Sequence, residues 1–518
     1  GWGGPALYSP SRLEASNGAF NVLAKAPPRT ANETTVSARM QWRMSGSDDP
    51  WVNAGNAVAV TGARGKETVF SGTFDAAAAL AAANKTSRGP VLMDFQVCFT
   101  YSGVRQPVWA GEVAPTVVVR VPHAFGDGYP TTDVETGQVA LYTGEFSLSD
   151  RDVSVPGYGS DLTVSRSHLS LTGSGDVKAW PADPVTGVFG PGFTANLEGD
   201  ESAGLAGLDV IDQRMSDGSI ALLGEDGDAL VFVNASGKRE TVTGSLVPGT
   251  SDTELSGVKA AITGSAAAPT LVVTESDGTV TTFQPSAGGA GKNLDFRPVS
   301  IAAVGDGSST TFGYDATTGV VTRIVAPLPD GLPADSCPPS GVLQPGCRAL
   351  DLTYQTVTDP SGKSAQRLVK VLAVLFDPAS KQMVTRPVTT YTYDALTRLA
   401  SVTDVRSGLK TTYTWDGSST RIKTITPSGL AGYTMTYAPN PDASIPTMVV
   451  KNVQREGQTA GAAPVQIASI VYDIATSGDG LPDLSREGVK AWVKDTEGSP
   501  EFEAQVPGAG YAASDSDH

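Results

Sequence analysis

Between Tyr391 and Asp404 threonine and tyrosine alternate into Tyr393-Asp394, and related runs follow at Tyr413, at Trp415-Asp416-Gly417 and from Tyr433 to Tyr437. Tyr393, Tyr413 and Tyr433 stand twenty residues apart, and each run reaches an Asp-Ala, Asp-Gly or Pro-Ser-Gly turn. Aromatic and β-branched residues at period two form half-buried strands, and turn residues at regular intervals join such strands into hairpins. A fixed short period marks stacked units that bury their apolar faces only against their neighbours. Residues arranged in this way build a wall and not an active site.

The same grammar continues upstream. Asp226-Gly227 precedes Phe232, Asp277-Gly278 precedes Phe283 and Asp306-Gly307 precedes Phe312, each Phe five residues after its glycine. Asp-Gly supplies the positive φ expected of a two-residue hairpin turn, and the Phe is expected to cover the sheet face. Tyr314-Asp315 repeats the aromatic-aspartate pair. Residues 367–376 and 383–393 read as one long hairpin, in which Pro387 predicts a bulge or an unpaired edge. With 58 glycines, 35 prolines and few amphipathic helical stretches, the fold class is all-β. A chain of 518 residues exceeds one ordinary core, so several domains or a long repeat array are expected.

Residues 1–122 read as a separate β-sandwich. Val91, Met93, Phe95, Val97, Phe99 and Tyr101 alternate with Asp94, Gln96, Cys98 and Thr100, the pattern of a strand with one buried face. Residues 37–44 and 116–121 supply further strands, with Trp42 and Trp51 as candidate core anchors. An alanine-rich helix is predicted over 75–83, with Thr73 as its cap and Asn84 as its stop. By this pattern the segment resembles immunoglobulin-like and fibronectin type III modules. Residues 123–132, rich in Pro and Gly, read as a linker.

Beyond the linker the chain resembles the RHS-repeat, or YD-repeat, proteins, specifically the secreted polymorphic-toxin type of high-GC Gram-positive bacteria. The resemblance rests on Thr136-Gly137, the Pro156-Gly157 turn, the strand bearing Arg166, Phe189-Gly-Pro-Gly-Phe193, and the repeat residues Tyr314, Asp315, Tyr393, Asp394, Tyr413, Trp415, Asp416, Tyr433 and Tyr437. It covers about residues 133–518, with a loop and short helix expected at about 477–518. It implies a large spiral antiparallel β-sheet of hairpins that closes as a shell around a C-terminal toxin or effector of the same full-length protein. The chain is then a non-enzymatic scaffold, secreted or wall-associated. A motif with paired autoproteolytic aspartates is missing, and no toxin sequence is recognisable, so the chain reads as the front part of a shell. The alternative is a surface adhesin or matrix protein that binds glycan, cell wall or a surface receptor, favoured if Trp42, Trp51 and Trp109 line one exposed surface.

Charge and chemistry narrow the field further. A net charge of −17 without a basic run argues against nucleic acid as a partner. No apolar run reaches the ~20 residues that span a bilayer. Residues 1–5 carry no signal-peptide pattern, and the chain is expected to be an internal piece of a longer protein. Cys337 and Cys347 bracket a turn-rich segment and are expected to form a disulfide, which implies an oxidising compartment. Cys98 is left over. His123, His168 and His518 show no ligand spacing, so neither metal nor other cofactor is expected. No nucleophile elbow, zinc-protease helix or P-loop occurs, so no catalytic residue is assigned. His168 is expected to be structural, and residues 473–480, which lack the calcium-loop spacing, to be a turn.

Overall fold

The structure is a computed structural model, which describes residues 4–10, 15–16, 19–44, 49–60, 65–83, 91–111, 116–119, 131–135, 137–141, 143–171, 187–197, 208–214, 219–224, 229–233, 243–249, 251–265, 268–285, 293–358, 362, 364–441, 448–474, 489–494 and 500–505. The fold is all-β, and the described helices are Ala76–Ala82 and Ser251–Leu255. Two compact units divide the chain. One comprises Gly1–Pro122 with Leu208–Val299, and the other His123–Gly207 with Ser300–His518.

Within Gly1–Pro122, Ala6–Ser9, Ala19–Ala26 and Thr68–Asp75 form a three-stranded sheet. A second sheet runs in the order Ala15–Ser16, Thr116–Val119, Val91–Tyr101, Val36–Met44, Val52–Val60, and Val108–Ala110 also pairs with Val91–Tyr101. Phe20, Val22 and Phe74 from the first sheet share one core with Trp42, Met93, Phe95 and Phe99 from the second. The alternation along Val91–Tyr101 therefore predicts the buried face, because successive side chains of a strand point to opposite sides. Trp42 is in the core, whereas Trp51 is half-buried under the Arg43 guanidinium and Trp109 is exposed. The helix is capped by Asp75, whose Oδ1 accepts the Ala78 N–H at 3.0 Å, and not by Thr73. Asp75 stands immediately before the first helical residue, where a side-chain acceptor reaches the free N–H groups; Asn84 lies outside the described residues.

In Leu208–Val299 the strands pair in chain order and return on themselves. Leu208–Arg214 pairs with both Ser219–Gly224 and Asn293–Ala302, so the run closes into a ring. Phe232 and Phe283 are buried as their turn spacing predicts. Asp226-Gly227 lies outside the described residues. At Asp277-Gly278 the Glu275 N–H bonds the Thr279 carbonyl, so three residues and not two form the turn, with Gly278 at φ 94°.

In the other unit a five-stranded sheet runs Thr131–Val134, Gly137–Ala140, Phe146–Val155, Leu162–Leu169, Phe193–Asn196. It is called the leading sheet below. A long repeat sheet follows, from Thr310–Tyr314 to Pro500–Gln505, each strand antiparallel to the next. The long hairpin pairs Ser364–Asp377 with Gln382–Tyr393, and its bulge falls at Val388, beside Pro387, where the ladder lacks a donor. Around Asp306-Gly307 the positive φ belongs to Gly305 at 90°. Asp306 instead accepts the Ser160 hydroxyl at 2.7 Å from the Pro156–Ser160 turn. Of the loop and short helix expected at about 477–518, residues 489–494 and 500–505 are strands that extend the sheet; the rest of that span, and 475–480, lie outside the described residues. One core joins the leading sheet to the repeat sheet, from Val134 and Phe146 through Phe193 to Tyr413, Met435 and Ile470.

Candidate functional site

The aromatic-aspartate turns are built from backbone bonding. Asp394 N–H bonds the Arg398 carbonyl, while Asp394 Oδ1 accepts the N–H groups of Leu396 and Arg398 at 2.9 Å. Asp416 N–H bonds the Arg421 carbonyl, and Asp315 Oδ1 accepts from Thr317 and Thr318. The Thr318 N–H and hydroxyl, with the Thr317 N–H, hold the Asp315 carboxyl below its ordinary pKa, so it stays an acceptor. Aspartate recurs here because a short carboxylate closes a turn on its own backbone.

The aromatics follow a second rule. Opposite Tyr314, Tyr354, Tyr393, Trp415 and Tyr437 the following strand carries one extra residue, Thr322, Val369, Ala400, Lys423 and Lys451 respectively, so a bulge faces each ring. A bulge disrupts the ladder locally and leaves a carbonyl beside it for another donor. The next aromatic supplies that donor, reaching back to the bulge of the preceding strand: Tyr354 Oη to Val321 O, Tyr393 Oη to Leu368 O, Trp415 Nε1 to Leu399 O and Tyr437 Oη to Ile422 O, at 2.6 to 2.8 Å. Tyr472 does the same to Val450 O at 2.9 Å. Burial holds the phenols of Tyr354, Tyr393 and Tyr437 above their ordinary pKa, so each remains a donor. Tyr393, Trp415 and Tyr437 are equivalent positions twenty-two residues apart, and Tyr391, Tyr413 and Met435 are a second set. The twenty-residue spacing of Tyr393, Tyr413 and Tyr433 thus joins residues of different register.

The leading sheet docks on two consecutive repeats. Phe189 packs on Tyr391 with ring centroids 5.0 Å apart, and Phe193 packs on Tyr413 and Trp415 at 5.8 and 5.9 Å. Between them Gly190, at φ 85°, would carry a Cβ 2.4 Å from Thr397 O, and Gly192, at φ 87°, one 2.7 Å from Thr420 O. Only glycine tolerates both the backbone sign and the approach. The Phe-Gly-Pro-Gly-Phe motif therefore touches one repeat with each half.

Beneath it lies a buried ionic cluster. Arg166, 2% exposed, donates from Nε and Nη2 to the two Asp152 oxygens at 2.8 and 3.1 Å, and from Nη2 to Asp150 Oδ2 at 3.2 Å. Tyr391 Oη donates to Asp152 at 3.0 Å and Tyr413 Oη to Asp150 at 3.3 Å, so the equivalent tyrosines of two repeats meet two carboxylates of one strand. The guanidinium also faces the Phe193 and Tyr413 rings. Burial works against the Arg166 charge, but the Asp152 and Asp150 carboxylates and the Tyr413 oxygen outweigh it, and its pKa lies well above the ordinary value. His168, fully buried among Phe146, Phe193 and Trp415, donates from Nε2 to Thr420 O at 2.9 Å. Burial, helped by Arg166, lowers its pKa from 6.5 to about 4, so the ring is neutral.

Every buried charge described in this seam is committed to joining strands. Arg398 and Arg421 were not singled out by the sequence reading, although both follow the turn aspartate at short spacing. Arg398 pairs with Asp394 at 2.8 Å and donates to the carbonyls of Gly417 and Ser419 in the next turn, and Arg421 pairs with Asp416 at 2.9 Å. Arg367 similarly donates to Thr397 O and Oγ1 at 3.0 Å. Of the other assigned residues, Tyr433 is buried in the joint core and Tyr314 packs against it. Cys337 and Cys347 are bonded, with Cα atoms 5.5 Å apart, and close a loop that Arg323 ties down through the Gly341 carbonyl at 2.6 Å. His123 and His518 lie outside the described residues. Among the described residues no group of three or more His, Cys, Asp or Glu is placed to hold a metal, and no helix is long and apolar enough to cross a membrane. Compared with known proteins, the chain matches no family model and no curated relative.

Proposed function

We propose that this chain is a non-enzymatic scaffold, the front part of an RHS-type shell that encloses and protects a C-terminal toxin or effector segment of the same full-length protein. The observation that carries the reading is the recurrence of one structural unit, a bulge opposite an aromatic that donates to the previous strand, closed at Tyr393 and Trp415 by an aspartate turn. Such a unit extends a sheet by repetition and leaves its chemistry spent on holding strands together. The leading sheet, seated on consecutive repeats, supports a wall anchored at its start. The Cys337–Cys347 disulfide supports maturation in an oxidising compartment, and hence a secreted or wall-associated protein.

The test is a cryo-electron microscopy map of the full-length protein from its native source. Polypeptide density enclosed by the repeat sheet is the expected result. An open, empty sheet with the N-terminal sandwich bound to another molecule would replace the shell by an adhesin.

A further inference from the structure

The N-terminal sandwich carries a polar groove of about 250 Å³ on the face of its larger sheet opposite the core, and the enclosing function makes no use of it. Arg39, Gln41, Asn53, Ala57, Cys98 and Thr100 line it, and the whole lining contains one cation, no carboxylate and no aromatic ring. Strand register explains the lone cation. Arg43 and Arg39 lie four residues apart on the same polar face of Val36–Met44, so they invite direct comparison. Opposite Arg43 stands Asp94, its ion-pair partner at 3.6 Å; opposite Arg39 stands Cys98. On the other side Ala38 pairs with Val58 and Met40 with Ala54, so residues 55–57 bulge away from the ladder beside Arg39, with Gly55 at φ 79°. Arg39 Nε, like Arg43 Nε, is buried without a hydrogen-bond partner among the described residues, but only Arg43 has a carboxylate facing it across the ladder.

The amides beside it are ordered in one direction. Gln96 Nε2 donates to Gln41 Oε1 at 2.9 Å, and Gln41 Nε2 donates to Asn53 Oδ1 at 3.1 Å. Gln96, directly opposite Gln41 on the neighbouring strand, is only 4% exposed, so the chain of amides starts from a fixed donor. It ends at Asn53, whose acceptor is used and whose remaining polar group is the donor NH₂. The groove therefore offers donors from both ends, and a carboxylate, which only accepts, complements them.

We propose that this groove binds a carboxylate presented by an extended acidic polypeptide, with the Arg39 guanidinium taking the carboxylate and Asn53 donating a further bond. A polypeptide is favoured over an acidic sugar for two reasons. No ring lines the groove for a sugar to stack on, and among the described residues the adjacent strand Val52–Val60 is the last of its sheet, an edge to which a strand can be added. In a chain of net charge −17 such a ligand is held by local geometry and not by long-range attraction. Cys98, the one free cysteine, lies in the groove and reports on its occupancy.

The experiment uses the full chain and three probes: an end-blocked peptide of alternating Thr and Glu, the same peptide with Gln for Glu, and an oligomer of a uronic acid. Binding is read by calorimetry and by the rate at which iodoacetamide alkylates Cys98. The acidic peptide should bind and slow alkylation, and the Gln peptide should do neither. Arg39→Gln should weaken binding by about tenfold or more with an unchanged unfolding temperature, and Arg39→Lys should fall between. Equal binding of both peptides, undiminished binding by Arg39→Gln, binding of the uronate oligomer alone, or no binding of any probe would overturn the proposal. If Arg39→Gln does not fold, protection of Cys98 in the unaltered chain decides it.

Discussion

His168 shows how a single side chain in the seam records its surroundings. Its ring is walled by Phe146, Phe193 and Trp415, bonded to Thr420 O and two residues from the charged Arg166, so a second positive charge is resisted. The folded chain keeps His168 neutral down to about pH 4, while the unfolded chain protonates it near 6.5. Its contribution is complete above 6.5 and falls as pH drops through the window to about 4. By linkage the loss is roughly 3 kcal/mol. Urea midpoints of the natural protein and His168→Gln, measured from pH 7 to 4, should converge by about that amount. Parallel curves would mean that water reaches the ring. The sequence foretold a structural histidine, but not its partners, because Thr420 lies 252 residues away and only the packed fold brings them together.

At the scale of the element, the hairpin unit was legible in its aromatics and aspartates and illegible in its joints. Period two and turn chemistry are local properties, and they gave the strands around Tyr393, the long hairpin and its bulge beside Pro387. The equivalent positions are held by Trp415 and Met435 as well as by tyrosine, so a count of tyrosines alone gives twenty and joins residues of different register. Different roles predict different costs. Tyr413, 3% exposed, fills space against Phe193 and Arg166, and Tyr413→Ala should destabilise by about 3–5 kcal/mol. Tyr437→Phe keeps the ring and removes the bond to Ile422 O with the weak contact to the Met435 sulfur, a loss of about 1 kcal/mol. Denaturation of both variants checks the ranking; equal losses would contradict the assigned roles.

On the scale of the whole molecule, the composition announced an all-β chain, and the 122/123 boundary coincides with a Pro- and Gly-rich stretch. Two things escaped the sequence: the closure of Leu208–Val299 on itself, and the leading sheet's seat on the repeats. Both depend on pairings between residues far apart in the chain, which carry no periodic trace. Burial ranks the strands for hydrogen exchange. Every residue of Leu162–Leu169 is buried and its strand is paired on both sides, so its amides should exchange slowest in their unit. Val52–Val60, exposed along most of its length at a sheet edge, should be among the fastest in its own. Comparable protection in the two strands would show that another molecule covers the edge.

The twenty-two-residue spacing of Tyr393, Trp415 and Tyr437 has a genetic consequence. A duplication or loss of one such interval carries each bulge and each donor onto its equivalent, so the pairing on either side is kept. Between Tyr393 and Tyr437 the repeat sheet can therefore gain or lose a whole step without re-pairing its neighbours, while the longer intervals to Tyr354 and Tyr472 place their extra residues in strands and turns that keep the same ring-to-carbonyl bond. The Phe189–Phe193 motif, which spans two of those steps, acts as the gauge against which each new arrangement is measured.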